Sequence, residues 1–336
     1  MSIFRQLHTK SLNTQSTRKV LASRFLAAAQ NSTADEPFPD EPTSAYYDEQ
    51  VNKAGRNGDL ETVGYLLNKR YRDGCFNTVN TFKFLTDTES SLALIDPLIQ
   101  TLSRLDKGYT RKQAFDLLIA RLCKLERTDE ALRVIDTMAK EGYGVNAVCF
   151  HPVLNTLTRK NKKEEAWRVL DLMRHAGASP NVRAYNYLLT AYCFEGNLTE
   201  AAEVVKKIEA EGLIADGRTF DALILGASKA GKLAGAMVLL RRMMDRGFHV
   251  QYSSLANVIN GMLRLGYFDQ AVRFVMAFRG RDRKLDQESL GMLASKLIIL
   301  NKKDEAMLVL EEMSKMRLIM GTKLFEFYKS NAKNEI

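Results

Sequence analysis

Residues 182–216 read VRAYNYLLTAYCFEGNLTEAAEVVKKIEAEGLIAD. Tyr185, Leu188, Leu189 and Tyr192 fall at i, i+3, i+4 and i+7, one face of a helix. Gly196-Asn197 follows, a pair suited to the left-handed end of that helix. Leu198, Ala201, Ala202, Val205 and Ile208 then resume helical spacing, and Gly212 marks the end. The stretch predicts a helical hairpin, and it recurs. Ala131, Ala166, Ala201, Ala236, Ala271 and Ala306 stand 35 residues apart. Three further ladders keep that interval: Met138, Met173, Ile208, Met243, Phe278, Met313; Phe115, Phe150, Tyr185, Phe220, Leu255, Leu290; and Gly142, Gly177, Gly212, Gly247. They define six units, 112–146, 147–181, 182–216, 217–251, 252–286 and 287–321. One hairpin cannot bury its apolar face, whereas stacked neighbours bury it against each other, so the pattern specifies an all-α solenoid. Alanine at the recurrent position lets the paired helices approach closely. The Met ladder reads as core filling in the second helix.

The frame extends outward with weaker marks. Residues 44–78 fit one more unit, with Tyr47 in the aromatic ladder, Gly58 at the inter-helix turn, Val63 at the alanine position and Gly74 at the end. In 79–111 Phe82 is in place, but Asp96-Pro97 falls where the small residue belongs. Residues 44–111 are therefore expected to be two degenerate helical repeats. Leu324, Phe325, Phe327 and Tyr328 predict that 322–336 is a capping helix and tail.

The units resemble pentatricopeptide repeats of the P type. Val182-Arg183-Ala184-Tyr185-Asn186-Tyr187-Leu188-Leu189 looks like the family's opening, and Gly177-Ala178-Ser179-Pro180-Asn181 like its closing Gly-x-x-Pro-Asp/Asn. Cys123-Lys124 and Asp129-Glu130-Ala131 match its mid-repeat pattern. The Trp-Leu-Gly-Tyr pattern of the 34-residue tetratricopeptide repeat is absent. The resemblance implies a right-handed α-solenoid with first helices on the concave surface. It also implies an organelle protein that binds single-stranded RNA at about one base per repeat, since splayed bases present their edges to a few side chains. In the family, the fifth and last residues of a repeat read the base. Carried over, the pairs are Asp116 with Asn146, His151 with Asn181, Asn186 with Asp216, Asp221 with Gln251, Ala256 with Asp286, and Gly291 with Gly321. Only Asn186 with Asp216 matches a standard combination, the one associated with uracil. Ala256 and Gly291 have no side-chain hydrogen-bonding group with which to read an edge.

The chain has 336 residues, 49 Lys+Arg against 40 Asp+Glu and a net charge of +9. Residues 1–34 hold five bases, no acid and many Ser and Thr, and 18–26 form an amphipathic basic stretch. This is the composition of an organelle transit peptide, with mitochondrion preferred over plastid. Residues 35–43 reverse the charge to −4 and carry three prolines, an acidic linker. The remaining +8 is uneven: units 147–181, 217–251 and 252–286 give +3, +4 and +3, and 182–216 gives −3. Two basic runs are candidate phosphate contacts: Arg159, Lys160, Lys162 and Lys163 across a turn within a unit, and Arg281, Arg283 and Lys284 at a unit junction.

No catalytic residue and no cofactor or metal is expected. His8, His151, His175 and His249 lack Cys or carboxylate partners at ligand or triad spacing, Cys75, Cys123, Cys149 and Cys193 form no CxxC, and no phosphate-binding glycine motif occurs. No apolar run is long enough for a membrane span. Trp167, beside the ladder residue Ala166, is read as packed rather than stacked on a base. The expected role is an RNA-binding factor in processing, stability, splicing or translation of organelle transcripts. The alternatives are a structural subunit of the mitochondrial ribosome or another ribonucleoprotein, held on rRNA or ribosomal proteins, and a protein-interaction scaffold.

Overall fold

The structure, a computed structural model, describes residues 42–332. The expected transit peptide and the linker through residue 41 lie outside them, as do residues 333–336. Among the described residues every regular element is a helix. The first hairpin is α1 (Ser44–Arg56) and α2 (Leu60–Arg72). Turns, a four-residue α3 (Glu89–Leu92) and α4 (Ile95–Ser103) follow. Six long hairpins come next: α5 (Tyr109–Lys124) with α6 (Thr128–Lys140), α7 (Ala147–Arg159) with α8 (Lys163–His175), α9 (Val182–Glu195) with α10 (Leu198–Ala210), α11 (Gly217–Lys229) with α12 (Leu233–Asp245), α13 (Tyr252–Arg264) with α14 (Phe268–Phe278), and α15 (Arg283–Ile299) with α16 (Lys303–Lys315). The last helix is α17 (Thr322–Ala332).

Capping sets the helix starts. Asn146, Asn181 and Asp216 each stand at the N-cap of a first helix and accept a backbone N–H of its first turn. Chain reversal within a hairpin needs a left-handed residue, and six positions 35 apart supply it: Glu126, Asn161, Gly196, Gly231, Gly266 and Asn301 all have positive φ. Glycine tolerates that conformation at no steric cost, and Asn tolerates it better than most residues.

The alanine ladder is buried at all six positions, as is the Phe/Tyr/Leu ladder, and in the Met ladder only Phe278 is half-exposed. Each first helix packs on the next along α5, α7, α9, α11, α13 and α15, whereas among the second helices only α14 and α16 make more than a marginal contact. The first helices therefore line the short inner side of the stack. α9 and α11 pack tightly at Gly226, where an added Cβ would lie 2.8 Å from Cys193 Sγ.

At the N-terminal end the buried Arg70 guanidinium bonds Asp48 at 2.9 Å, Thr81 at 3.1 Å and the Ser44 carbonyl at 2.6 Å. It ties the first hairpin to the turn segment that replaces a helix before α3. Pro97 is accommodated because it sits in the first turn of α4, where its missing N–H costs no hydrogen bond. At the other end Leu324, Phe327 and Tyr328 of α17 pack on the core, while Phe325 is exposed.

Candidate nucleic-acid interface

The fifth residues of the units lie in the first halves of the first helices, except Gly291 at the middle of α15, and of the last residues Asn146, Asn181 and Asp216 cap the first helix of the following unit with their side chains. Two of the six pairs meet directly. Asn186 Nδ2 donates to Asp216 Oδ1 at 2.9 Å, and His151 Nε2 lies 3.1 Å from Asn181 Oδ1. Asn181 Oδ1 also accepts the Ala184 N–H at 3.0 Å, so it is the oxygen that faces His151, and Nε2 carries the proton. Asp216 Oδ1 accepts the Thr219 N–H in a capping box, and the Thr219 hydroxyl reaches Asn186 Oδ1 at 2.9 Å.

A contact that the sequence pattern did not single out recurs beside these pairs. Cys149 Sγ donates to Asp116 Oδ1 at 3.2 Å, Thr219 to Asn186, and Ser254 Oγ to Asp221 Oδ1. The donor is always the third residue of the next unit. Cys149, Ala184, Thr219, Ser254 and Ser289 form a 35-residue ladder whose signal is small size rather than hydropathy. Where Ala184 breaks it, His151 Nδ1 is buried without a partner. Where the fifth residue is Ala256, Ser289 turns to the Leu285 carbonyl of its own helix at 2.7 Å.

Other candidates stand apart. Asp116 is held by Lys112 at 2.6 Å, and Asn146 caps α7. Asp221 faces Ser254, not the exposed Gln251, and burial raises its carboxyl above the ordinary range while the Ser254 bond opposes the rise. Asp286 is buried in the first turn of α15 and accepts the Gly280 N–H at 2.9 Å, so it ties that helix to the inter-unit turn. The reason is that α15 begins at Arg283, capped by Asp282, four residues ahead of the unit boundary at 287.

The basic runs divide in the same way. Lys163 is buried and bridges α8 to Glu195 of α9 at 2.5 Å, so it is a structural cation. Lys160 pairs with Glu126, and Lys162 with Glu165 at 2.9 Å. Arg281 lies over the Phe278 ring at 5.0 Å, Arg283 donates to the Arg317 carbonyl at 2.6 Å, and Lys284 is exposed with Glu288 at 3.9 Å. Trp167 is half-buried against the core and donates to the Tyr192 hydroxyl at 3.1 Å.

Three grooves open between successive first helices. Lys124 and Arg159 line the one between α5 and α7. Arg159, Arg183, Asn186, Tyr187, Phe194 and Arg218 line the next, of about 690 Å³ across α7, α9 and α11. Lys229, Arg264 and Lys296 line the third, across α11, α13 and α15. Lys124, Arg159, Lys229 and Arg264 are the four basic members of a 35-residue ladder near the ends of these helices. The spacing is legible in the sequence, although only Arg159 of the four falls within a basic run.

A sequence model described as the pentacotripeptide-repeat region of PRORP matches residues 73–264. The chain belongs to the pentatricopeptide-repeat family. Two mitochondrial pentatricopeptide repeat-containing proteins of Arabidopsis thaliana are 56% identical over 333 residues, covering 99% of this chain and 93% of the relative, and 45% identical over 335, covering 98% and 95%. The mitochondrial address is thus the one that relatives of this repeat protein carry. Among solved structures, the pentatricopeptide repeat protein PPR10 from maize matches with a TM-score of 0.53 at 18% identity. The match covers 93% of this chain, which spans 44% of the maize protein, and it establishes the solenoid fold.

Proposed function

We propose that this pentatricopeptide repeat protein binds single-stranded RNA in the mitochondrion and serves post-transcriptional RNA metabolism without catalysis of its own. The observation that carries the reading is the hydrogen bond to Asp216 from Asn186, which lines a groove together with Arg159, Arg183 and Arg218. A base edge would meet this pair, and the cationic ladder along the neighbouring grooves would hold the backbone. The reading is of a short specific footprint rather than a long one. Its base contacts centre on units 147–181 and 182–216, because Ala256 and Gly291 supply no polar side chain and Asp286 is committed to the fold.

The test is binding of the full chain to single-stranded RNA oligonucleotides over a range of salt. Replacing Lys124, Arg159, Lys229 and Arg264 together by Ala is expected to lower the salt slope by roughly 0.7 for each phosphate no longer neutralised. An unchanged slope, or equal affinity for duplex and single strand, overturns the reading.

A further inference from the structure

The cationic ladder near the ends of the first helices has one interruption inside the groove that carries Asn186. At that position α9 places Phe194, 63% exposed, where its neighbours in the ladder are Arg159 and Lys229. Burying a phenylalanine is favourable, and leaving one largely in water forgoes that gain. Nothing about the fold demands an aromatic here, since the equivalent positions of the flanking units are cationic and the same hairpin forms around them. Asn186, Thr190 and Phe194 follow at i, i+4 and i+8, one row along the helix, and all three line the groove with Tyr187 and Ala191. Lys229 Nζ stands 4.6 Å from the Phe194 ring centroid. It comes from the next first helix, so the ring is backed by a cation on that side.

We propose that Phe194 is a stacking platform for an unpaired nucleobase of the bound RNA, distinct from the base that meets Asn186 and Asp216. The inference rests on the RNA-binding function proposed above. Phe194 lies ~12 Å along the axis from Asn186, too far for a single base to touch both. Every base has a π face, so a stack adds affinity without adding sequence preference. Where the cationic ladder is interrupted, the protein thus grips the strand by a base as well as by its backbone. Lys229 stays within reach of the adjoining phosphate.

The experiment uses the full chain and short single-stranded RNA oligonucleotides with 2-aminopurine stepped through each position. With the wild-type protein, the fluorescence of one labelled position is expected to change on binding through stacking. Phe194→Ala should weaken binding about tenfold, within the range for removal of one base–aromatic stack, and abolish that change. Phe194→Trp should preserve both. Phe194→Lys should recover affinity with a steeper salt slope and no fluorescence change. Because the side chain is exposed, helical content should be the same in all variants. If Phe194→Ala and Phe194→Leu bind like wild type with the fluorescence change intact, the stacking role is wrong while RNA binding stands. If wild type binds none of the oligonucleotides, the RNA reading falls and takes this inference with it.

Discussion

The Asn186 carboxamide donates to Asp216 Oδ1 at 2.9 Å, and the same oxygen caps α11 by accepting the Thr219 N–H. One carboxylate therefore holds the fifth residue of one unit, the proposed base reader, and starts the first helix of the next. Its two duties are separable. Asp216→Ala is expected to cost about 1 kcal/mol of stability through removal of the cap, and about 1 kcal/mol of discrimination for uracil at one position. Asp216→Ser keeps a capping oxygen, so denaturation midpoints should recover while base selectivity does not. Relative affinities for the four bases that do not move in the Asn186→Ala/Asp216→Ala double variant would sink the assignment.

His151 gives a pH dependence with a definite sign. Burial pushes its imidazole below the ordinary value of 6.5, and the Arg183 charge adds to the depression, while the Asn181 bond opposes it. Above about 6.5 native and unfolded chains are both neutral at this residue, so it contributes no slope. As pH falls below that value the unfolded chain takes a proton that the native one refuses, and stability declines until the native imidazole is protonated too. Denaturant midpoints at pH 7.5 and 5.5 should therefore differ more for wild type than for His151→Gln. Equal differences would mean that His151 is not linked to folding.

How far these features could be read in advance depended on their chemistry. The hairpins were legible because apolar periodicity is repeated: Ala131 through Ala306 mark one buried face in six places, and all six are buried. Asp286 was misleading because the frame is arithmetic while helix starts are local. Asp282 offered a cap one turn earlier, and α15 took it. Lys163 was unreadable as a structural cation, since its partner Glu195 lies 32 residues away on another helix. The third-position ladder leaves no hydropathy signal because Cys, Ala, Thr and Ser share size and not hydropathy. Its role appears only when the fifth residue of the preceding unit is set beside it.

That ladder makes a repair possible at Ala184. Cys149, Thr219 and Ser254 each place a donor on the fifth residue of the preceding unit, and Ala184 leaves His151 Nδ1 buried and unbonded. Ala184→Ser adds one oxygen at the position from which the other three reach. A new buried hydrogen bond should raise stability by about 0.5–1.5 kcal/mol, read as an increase in Tm that disappears in the His151→Phe background. A gain of the same size without the imidazole would assign the effect to something other than this bond.

The close approach of α9 and α11 sets up a contest between propensity and packing at Gly226. Replacing a mid-helix glycine by alanine normally favours the helix by about 1 kcal/mol. Here the added Cβ would stand 2.8 Å from Cys193 Sγ and 3.0 Å from its Cβ, and Cys193 is itself fully buried. Overpacking of this kind costs about 1–3 kcal/mol, so the balance should fall on the destabilising side. The consequence reaches the groove, because separating α11 from α9 also stretches the hydrogen bond from Thr219 to Asn186. Gly226→Ala should lower both the unfolding midpoint and the RNA affinity, and Cys193→Ala in the same chain should restore much of each by making room for the methyl group. Calorimetry with parallel RNA titrations checks both. A Gly226→Ala protein more stable than wild type would show that α9 and α11 part without cost, and that their close approach does not hold the Asn186 site together.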